Sequence, residues 1–211
     1  MLSQLEITTF DEFIAWYPEN SEYRYELHDG VIVQMPKPTG SHTKVASFIR
    51  SKLDREIERL DHPYFIPREC IVKPNDKSGY EPDVIVLNEA TLQQDQRWEK
   101  ESTITKGGSA VLVIEVVSTN WRDDYYKKFA DYEALGIGEY WVADYLALGG
   151  RKYIGSPKQP TISVYELLEG EYEVKQFRGS DRILSPSFPE LDLTAEQVFA
   201  KGRNQYEAPH S

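Results

Sequence analysis

The chain holds a single cysteine, Cys70, among 211 residues, so neither an intrachain disulfide nor a zinc–thiolate cluster can form. Long hydrophobic runs are missing as well. The longest, residues 110–117, is interrupted by Glu115 and falls far short of the ~20 residues that cross a bilayer. No basic-then-apolar leader opens residues 1–10, which mix Gln, Glu and Thr with apolar residues. A reducing, cytoplasmic setting without membrane contact is the expectation. Positive charge is scarce: 24 Lys and Arg face 35 Asp and Glu, a net charge of −11. Phosphate backbones are bound largely through Lys and Arg that release counterions, so this balance weighs against a nucleic-acid partner. Net charge is global, however, and a groove is local. Lys37, Lys44, Arg50, Lys52 and Arg55 fall close together, as do Arg122, Lys127 and Lys128. These groups read either as solvated helix faces or as local basic surface. No nucleophile–His–acid pattern, glycine-rich phosphate loop or dinucleotide fingerprint is present, which leaves hydrolases of those kinds without support.

What is there reads as one α/β domain. Thr9-Phe10-Asp11-Glu12 fits a capping box and predicts a short helix through Phe13, Ile14 and Trp16, stopped near Pro18. Residues 23–27 and 31–35 flank Asp29-Gly30 and predict a β-hairpin. From 41 to 60, Val45, Phe48, Ile49, Leu53, Ile57 and Leu60 recur at helical spacing. Residues 64–66 and 70–72 read as strand pieces, 73–80 as a polar turn region, and 83–87 as a strand covered on both faces. Residues 88–108 read as a polar surface segment with a helical turn. The strongest strand, 110–117, leads to a helix capped by Thr119 or Asn120 and stopped at Gly136, then to a strand over 139–143. That crossover is expected to be right-handed, with its strands parallel. After a Gly-rich loop to 160, residues 161–167 and 172–177 form a second hairpin around Glu169-Gly170, and 194–200 a last short helix.

Three polar residues stand out against this background. Asp83 opens one strand and Glu115 lies inside the most apolar one, where an isolated charge is strongly disfavoured unless paired, neutralised or bound to a metal. At ~100° per residue, Trp121, Tyr125, Phe129, Tyr132 and Gly136 form one helical stripe, and Lys128 falls within the sheet-facing side while Lys127 points away. Lys128 either extends its amine toward Glu115 or snorkels to solvent. Asp83, alone, also reads as an ordinary strand-edge residue. Two acids and a lysine converging on one spot can hold a divalent cation and stabilise a reacting phosphate.

The segments EPDVIVL, VLVIEVVS, KKFADYEALGIGEYWVAD, RYELHDGVIV followed by His42, and SVYELLEGEYEVKQF with ILSPSFPELDL resemble a bacterial restriction-endonuclease-like family of the PD-(D/E)XK nuclease superfamily. The resemblance covers nearly the whole chain. It implies a mixed β-sheet flanked by helices in one domain over 1–211. The core would span about 41–144, an N-terminal helix and hairpin 1–40, and a C-terminal hairpin and short helix 161–200. It matches Asp83 to the PD aspartate and Glu115 to the D/E position. The superfamily lysine would fall two residues later, where this chain has Val117; the lysine on the following helix matches Lys128 instead. Glu26 and His42 match positions typical of the family. Glu26 reads equally as a further acid at the metal site or as an outward hairpin acid, and His42 as a helix cap or packing residue.

The function these readings imply is Mg²⁺- or Mn²⁺-dependent hydrolysis of phosphodiesters, with DNA as the expected substrate. Asp83 and Glu115 would hold the metal, helped by the Val116 carbonyl, with Lys128 and Glu26 completing the catalytic set. The resemblance implies 5′-phosphate and 3′-hydroxyl products. A homodimer is compatible with cutting two strands, with Trp98, Trp121 and the tyrosines as interface candidates. The competing readings are a catalytically inactive nuclease-fold module that binds or regulates a partner, and a purely structural Glu115–Lys128 pair.

Overall fold

The structure is a computed structural model that describes residues 8–19 and 21–203; residues 1–7, 20 and 204–211 of the expected domain lie outside the described residues. The capping box at Thr9 forms as predicted and opens helix α1 (Phe10–Trp16). Strands β1 (Tyr25–His28) and β2 (Val31–Gln34) pair across Asp29-Gly30, whose φ values of 50° and 80° are those of a type I′ turn. Helix α2 (Gly40–Leu60) starts one residue earlier than predicted because Thr39, its N-cap, accepts the His42 N–H. Val45, Ile49, Leu53 and Ile57, each four residues apart, form its buried row.

The chain then runs through β3 (Tyr64–Phe65), β4 (Ile71–Asn75), β5 (Ser78–Tyr80), β6 (Val84–Asn88), α3 (Glu89–Leu92), α4 (Trp98–Glu101), β7 (Thr103–Ile104) and β8 (Ala110–Val116). The polar region predicted as turn over 73–80 is a strand pair, β4 and β5. Its polar sequence hid burial: Gly79 lies so close to the Phe10 ring that a Cβ there would meet it at 2.6 Å. Beyond β8 come a π-helical turn (Asp123–Lys127), α5 (Lys128–Leu135), β9 (Glu139–Asp144), α6 (Arg151–Ile154), β10 (Thr161–Leu168), β11 (Glu171–Phe177) and α7 (Ala195–Gly202). Gly136, at φ 85°, ends α5 in the left-handed region, as its sequence position suggested.

The strands form two mixed sheets. One has the order β2-β1-β5-β4-β7, and the other β11-β10-β9-β8-β6-β3. In the larger sheet only β8 and β9, the two ends of the helical crossover, run parallel. The N-terminal hairpin therefore belongs to the smaller sheet, whereas the C-terminal hairpin extends the larger one.

Side chains alternate across the larger sheet. Val84, Val86, Leu112, Ile114, Val116, Trp141 and Ala143 pack beneath α2 and α7 in one apolar cluster. Ile85, Leu87, Val113, Val117, Tyr140 and Val142 form another with Tyr125 and Tyr132. Each such fully buried side chain contributes about 1.5–3 kcal/mol, and this rigid two-faced sheet fixes the site below.

Candidate active site

The alternation decides where the two strand acids go. β6 and β8 are antiparallel, with Val84 opposite Ile114 and Ile85 opposite Val113. One residue further, Asp83 stands opposite Glu115, and both share the face of Ile85 and Val113. That face meets α5. Asp83 Oδ2 accepts the Val116 N–H at 2.8 Å, which ties the residue before β6 to the end of β8.

Lys128, the first residue of α5, is buried beneath this face. Its Nζ donates to Glu115 Oε1 at 3.1 Å and to Glu26 Oε1 at 3.0 Å, and lies 5.7 Å from the centre of the Tyr80 ring. Lys128 does not snorkel: its side chain is 4% exposed. Glu26 is not an outward hairpin acid: its side chain is buried. Leu27 packs with Phe10 and Phe13, so its neighbour Glu26 projects to the opposite side of β1. There it also accepts the Glu81 N–H at 3.0 Å, and its Oε2 meets His28 Nε2 at 2.8 Å. Tyr132, one helical turn beyond Lys128, donates its hydroxyl to Glu115 Oε1 at 2.9 Å. Lys127 leaves the site and pairs with Asp29, as the helical wheel indicated.

Two residues enter the site that sequence reasoning missed or undervalued. His42 is more than a packing residue: its Nε2 lies 2.9 Å from the Val116 carbonyl oxygen and 3.2 Å from Asp83 Oδ2. An Nε2–H tautomer donates to both. Asp124 sits in the π turn, buried and facing the same cavity. Four residues before Lys128, it lies about 40° from it at ~100° per residue, so helical period alone turns it to the same side, and π turns such as this one gather at functional sites.

These groups line a cavity of about 240 Å³. Its wall carries six carboxyls (Glu26, Glu81, Asp83, Glu115, Asp123 and Asp124) against Arg24, Lys37, Lys128 and His42. One ammonium cannot neutralise the buried acids around it. Burial works against charge on Glu26, but Lys128 and His28 outweigh it and bring its carboxyl down to about 2. Glu115 goes the other way: burial raises it to about 7, with Lys128 opposing and the Asp83 and Glu26 charges adding. Asp124 is pushed well above the carboxylate range by burial, against the pull of Lys128. Burial opposes charge on Lys128 too, yet Glu115, Glu26 and Asp124 hold it firmly as an ammonium. Burial opposes charge on His42, but the Asp83 contact, the Val116 carbonyl and the Glu115 charge together raise it. Burial raises Glu81 to about 7 even though Arg24 stands beside it. The cavity is thus short of positive charge.

An excess of hard oxygen donors suits Mg²⁺ or Mn²⁺. Among the described residues no group of three or more His, Cys, Asp or Glu side chains is arranged to hold a metal ion. Mg²⁺ nevertheless needs few protein ligands, usually one or two carboxylates with water completing the octahedron. Asp83 Oδ1, which among the described residues meets only Arg24 at 3.9 Å, and Glu115 Oε2, outside the contacts to Lys128 and Tyr132, remain for that task. The residues present fit the ion.

A mixed sheet between helices, with two strand acids and a helix lysine on one face, defines a restriction-endonuclease-like α/β protein. The chain belongs to the Uma2 family, described as "Putative restriction endonuclease", which matches residues 10–196. Its fold is also similar to the crystal structure of a "putative nuclease belonging to DUF820" from Anabaena variabilis ATCC 29413, at a TM-score of 0.68 and 21% identity over 92% of this chain and 99% of that one. No curated protein matches the chain. No helix among the described residues is long and apolar enough to cross a membrane.

Proposed function

We propose that the protein is a divalent-metal-dependent nuclease that hydrolyses phosphodiester bonds in DNA. The observation that carries this reading is Lys128 Nζ, held between Glu26 and Glu115 on the face where Asp83 stands opposite Glu115. Asp83 and Glu115 would hold Mg²⁺ or Mn²⁺, with the Val116 carbonyl nearby. When bound, the ion would lower the pKa of a water and offset charge on the phosphoryl oxygens.

The remaining residues orient and hold charge. Tyr132 and Lys128 both occupy Glu115 Oε1, which leaves Oε2 for the ion. His42 and the Val116 N–H fix the Asp83 carboxyl. Glu26 keeps Lys128 in place and cationic, so Lys128 steadies the attacking water and the phosphate charge rather than taking a proton. Arg24 and Lys37, on the cavity wall, supply attraction for the incoming phosphate. Hydrolysis forms a bond from the water oxygen to phosphorus as the P–O3′ bond breaks. The water loses its proton, the 3′ oxygen gains one, and the products carry a 5′-phosphate and a 3′-hydroxyl.

The test is incubation with supercoiled and single-stranded DNA plus Mg²⁺ or Mn²⁺. Cleavage is expected from the wild type and a loss of orders of magnitude from Asp83→Ala, Glu115→Ala and Lys128→Ala. Cleavage that survives Asp83→Ala or Glu115→Ala overturns the assignment. One observation favours a second reading, an inactive nuclease-fold binding or regulatory module: Lys128 pairs directly with both Glu26 and Glu115, and among the described residues no group of three or more His, Cys, Asp or Glu is arranged to hold a metal. Absence of Mn²⁺ binding at millimolar concentration, measured by calorimetry, selects that reading.

A further inference from the structure

We infer that the aromatic and basic face beside the cavity, built from Trp121, Tyr126, Tyr153, Arg122, Arg151 and Lys152, binds single-stranded nucleic acid. The inference rests on the nuclease reading and specifies the form of substrate it engages. The rings form one cluster, packed edge to face or tilted, at 84°, 42° and 66° to one another. Tyr126 and Tyr153 lie 5.3 Å apart, and Trp121 lies 6.2 and 6.4 Å from them. Tyr125 stacks beneath Tyr153 at 4.5 Å and 19°, so the cluster rests on the core. The Trp121 ring lies over the backbone of Gly150, where a Cβ would meet it at 3.1 Å. Tyr126 is 45% exposed.

Two of the three cations, Arg122 and Lys152, sit on these rings rather than on acids. The Arg122 guanidinium is 4.5 Å from the Trp121 ring centre, and Lys152 Nζ is 4.4 Å from that of Tyr126 and 4.6 Å from that of Tyr153. Among the described residues Arg122, Arg151 and Lys152 make no salt bridge. In a chain with 35 acids and 24 Lys and Arg, such a cluster is an unpaired basic island. Its complement carries anions and flat apolar faces together. A single strand offers both, because its bases are free to stack, whereas a duplex hides them. The location agrees. Asn120 and Asp123 line the cavity and bracket Trp121 and Arg122, while Leu148 lines it just ahead of Gly150 and Lys152. A strand whose phosphate reaches Lys128 has this face at its side.

The experiment is fluorescence anisotropy of the full chain in EDTA, without metal, against a labelled 15-mer oligo-dT and a 15-base-pair duplex between 50 and 200 mM salt. The expected result is a single strand bound at least tenfold tighter than duplex. Tyr126→Ala should weaken it about tenfold, and Lys152→Gln should lower the salt slope by about 0.7. Trp121→Ala repeats the test at a half-buried ring, with circular dichroism as the folding control, and the exposed Tyr126 carries the conclusion if that variant unfolds. Wild-type affinity in Tyr126→Ala overturns the inference, as does equal affinity for both forms, or no binding to the single strand. Because no metal is present, these outcomes are independent of cleavage. Metal-dependent cutting with an unaffected Tyr126→Ala sinks only the aromatic face, and Tyr126-dependent binding without any cutting sinks only the nuclease.

Discussion

Replacing Lys128 by Met removes an ammonium 3.0 Å from Glu26 and 3.1 Å from Glu115 and leaves two carboxyls, 1% and 3% exposed, without their counter-charge. Breaking a buried ion pair from one side costs about 3–5 kcal/mol. The loss should depend on pH in a definite direction. Glu115 already titrates at about 7 because of burial, and the ammonium opposes that shift. Without Lys128 its value rises further, so above pH 7 the variant holds a proton that the wild type lacks. A folded-state value above the unfolded one adds stability at low pH that is lost as the pH rises through it. The deficit of the variant should therefore shrink by ~1.4 kcal/mol for each pH unit on going down from pH 9 toward pH 7. Urea unfolding followed by tryptophan fluorescence at pH 9, 8 and 7 measures this. The triple variant Lys128→Met/Glu26→Gln/Glu115→Gln should recover most of the loss, since it leaves no buried charge behind. A deficit below about 1 kcal/mol that does not change with pH would refute the reasoning, because it would place the amine in water.

Asp124→Asn should stabilise the metal-free protein at pH 8 and have little effect at pH 5, since burial raises the aspartate and its ionisation costs stability as the pH climbs; thermal melts at the two pH values show it. Mn²⁺ affinity, measured by calorimetry, should weaken by about tenfold per pH unit below about 7, where Glu115 keeps its proton and the ion must displace it. Glu26, at about 2 in the folded state, stabilises the fold above its ordinary value of 4.5, and that stability should fade as the pH drops from there toward 2 in acid-unfolding curves. Gly79→Ala should cost about 1–3 kcal/mol, because its Cβ would meet the Phe10 ring at 2.6 Å.

The strand acids were legible because alternation along a strand is strict: Asp83 shares a face with Ile85, and Glu115 with Val113, whatever the tertiary contacts. Lys128 was legible from helical period, although the π turn before it shifts the register that a uniform 100° per residue assumes. The same period also reaches Asp124, four residues before Lys128 and about 40° from it at ~100° per residue, but Asp124 lies in no apolar run that would make a charge conspicuous. The inward direction of Glu26 depends on α1 covering Leu27 from the other side of β1, a contact between distant segments that periodicity does not encode. β5 escaped detection for a related reason: Ser78 and Gly79 have low strand propensity, and the Phe10 ring that lies against Gly79 comes from a distant segment. The ring of His42 reaches Val116 across 74 residues, and no local pattern carries that distance.

Crystals of the protein soaked in Mn²⁺ and measured at a wavelength where manganese scatters anomalously address the metal directly. A peak between the carboxyls of Asp83 and Glu115, lost in Asp83→Ala crystals, is the predicted outcome. A clean map at that position in well-soaked crystals, or a peak at some other acidic surface alone, would contradict a metal-dependent nuclease site built on these two residues and Lys128.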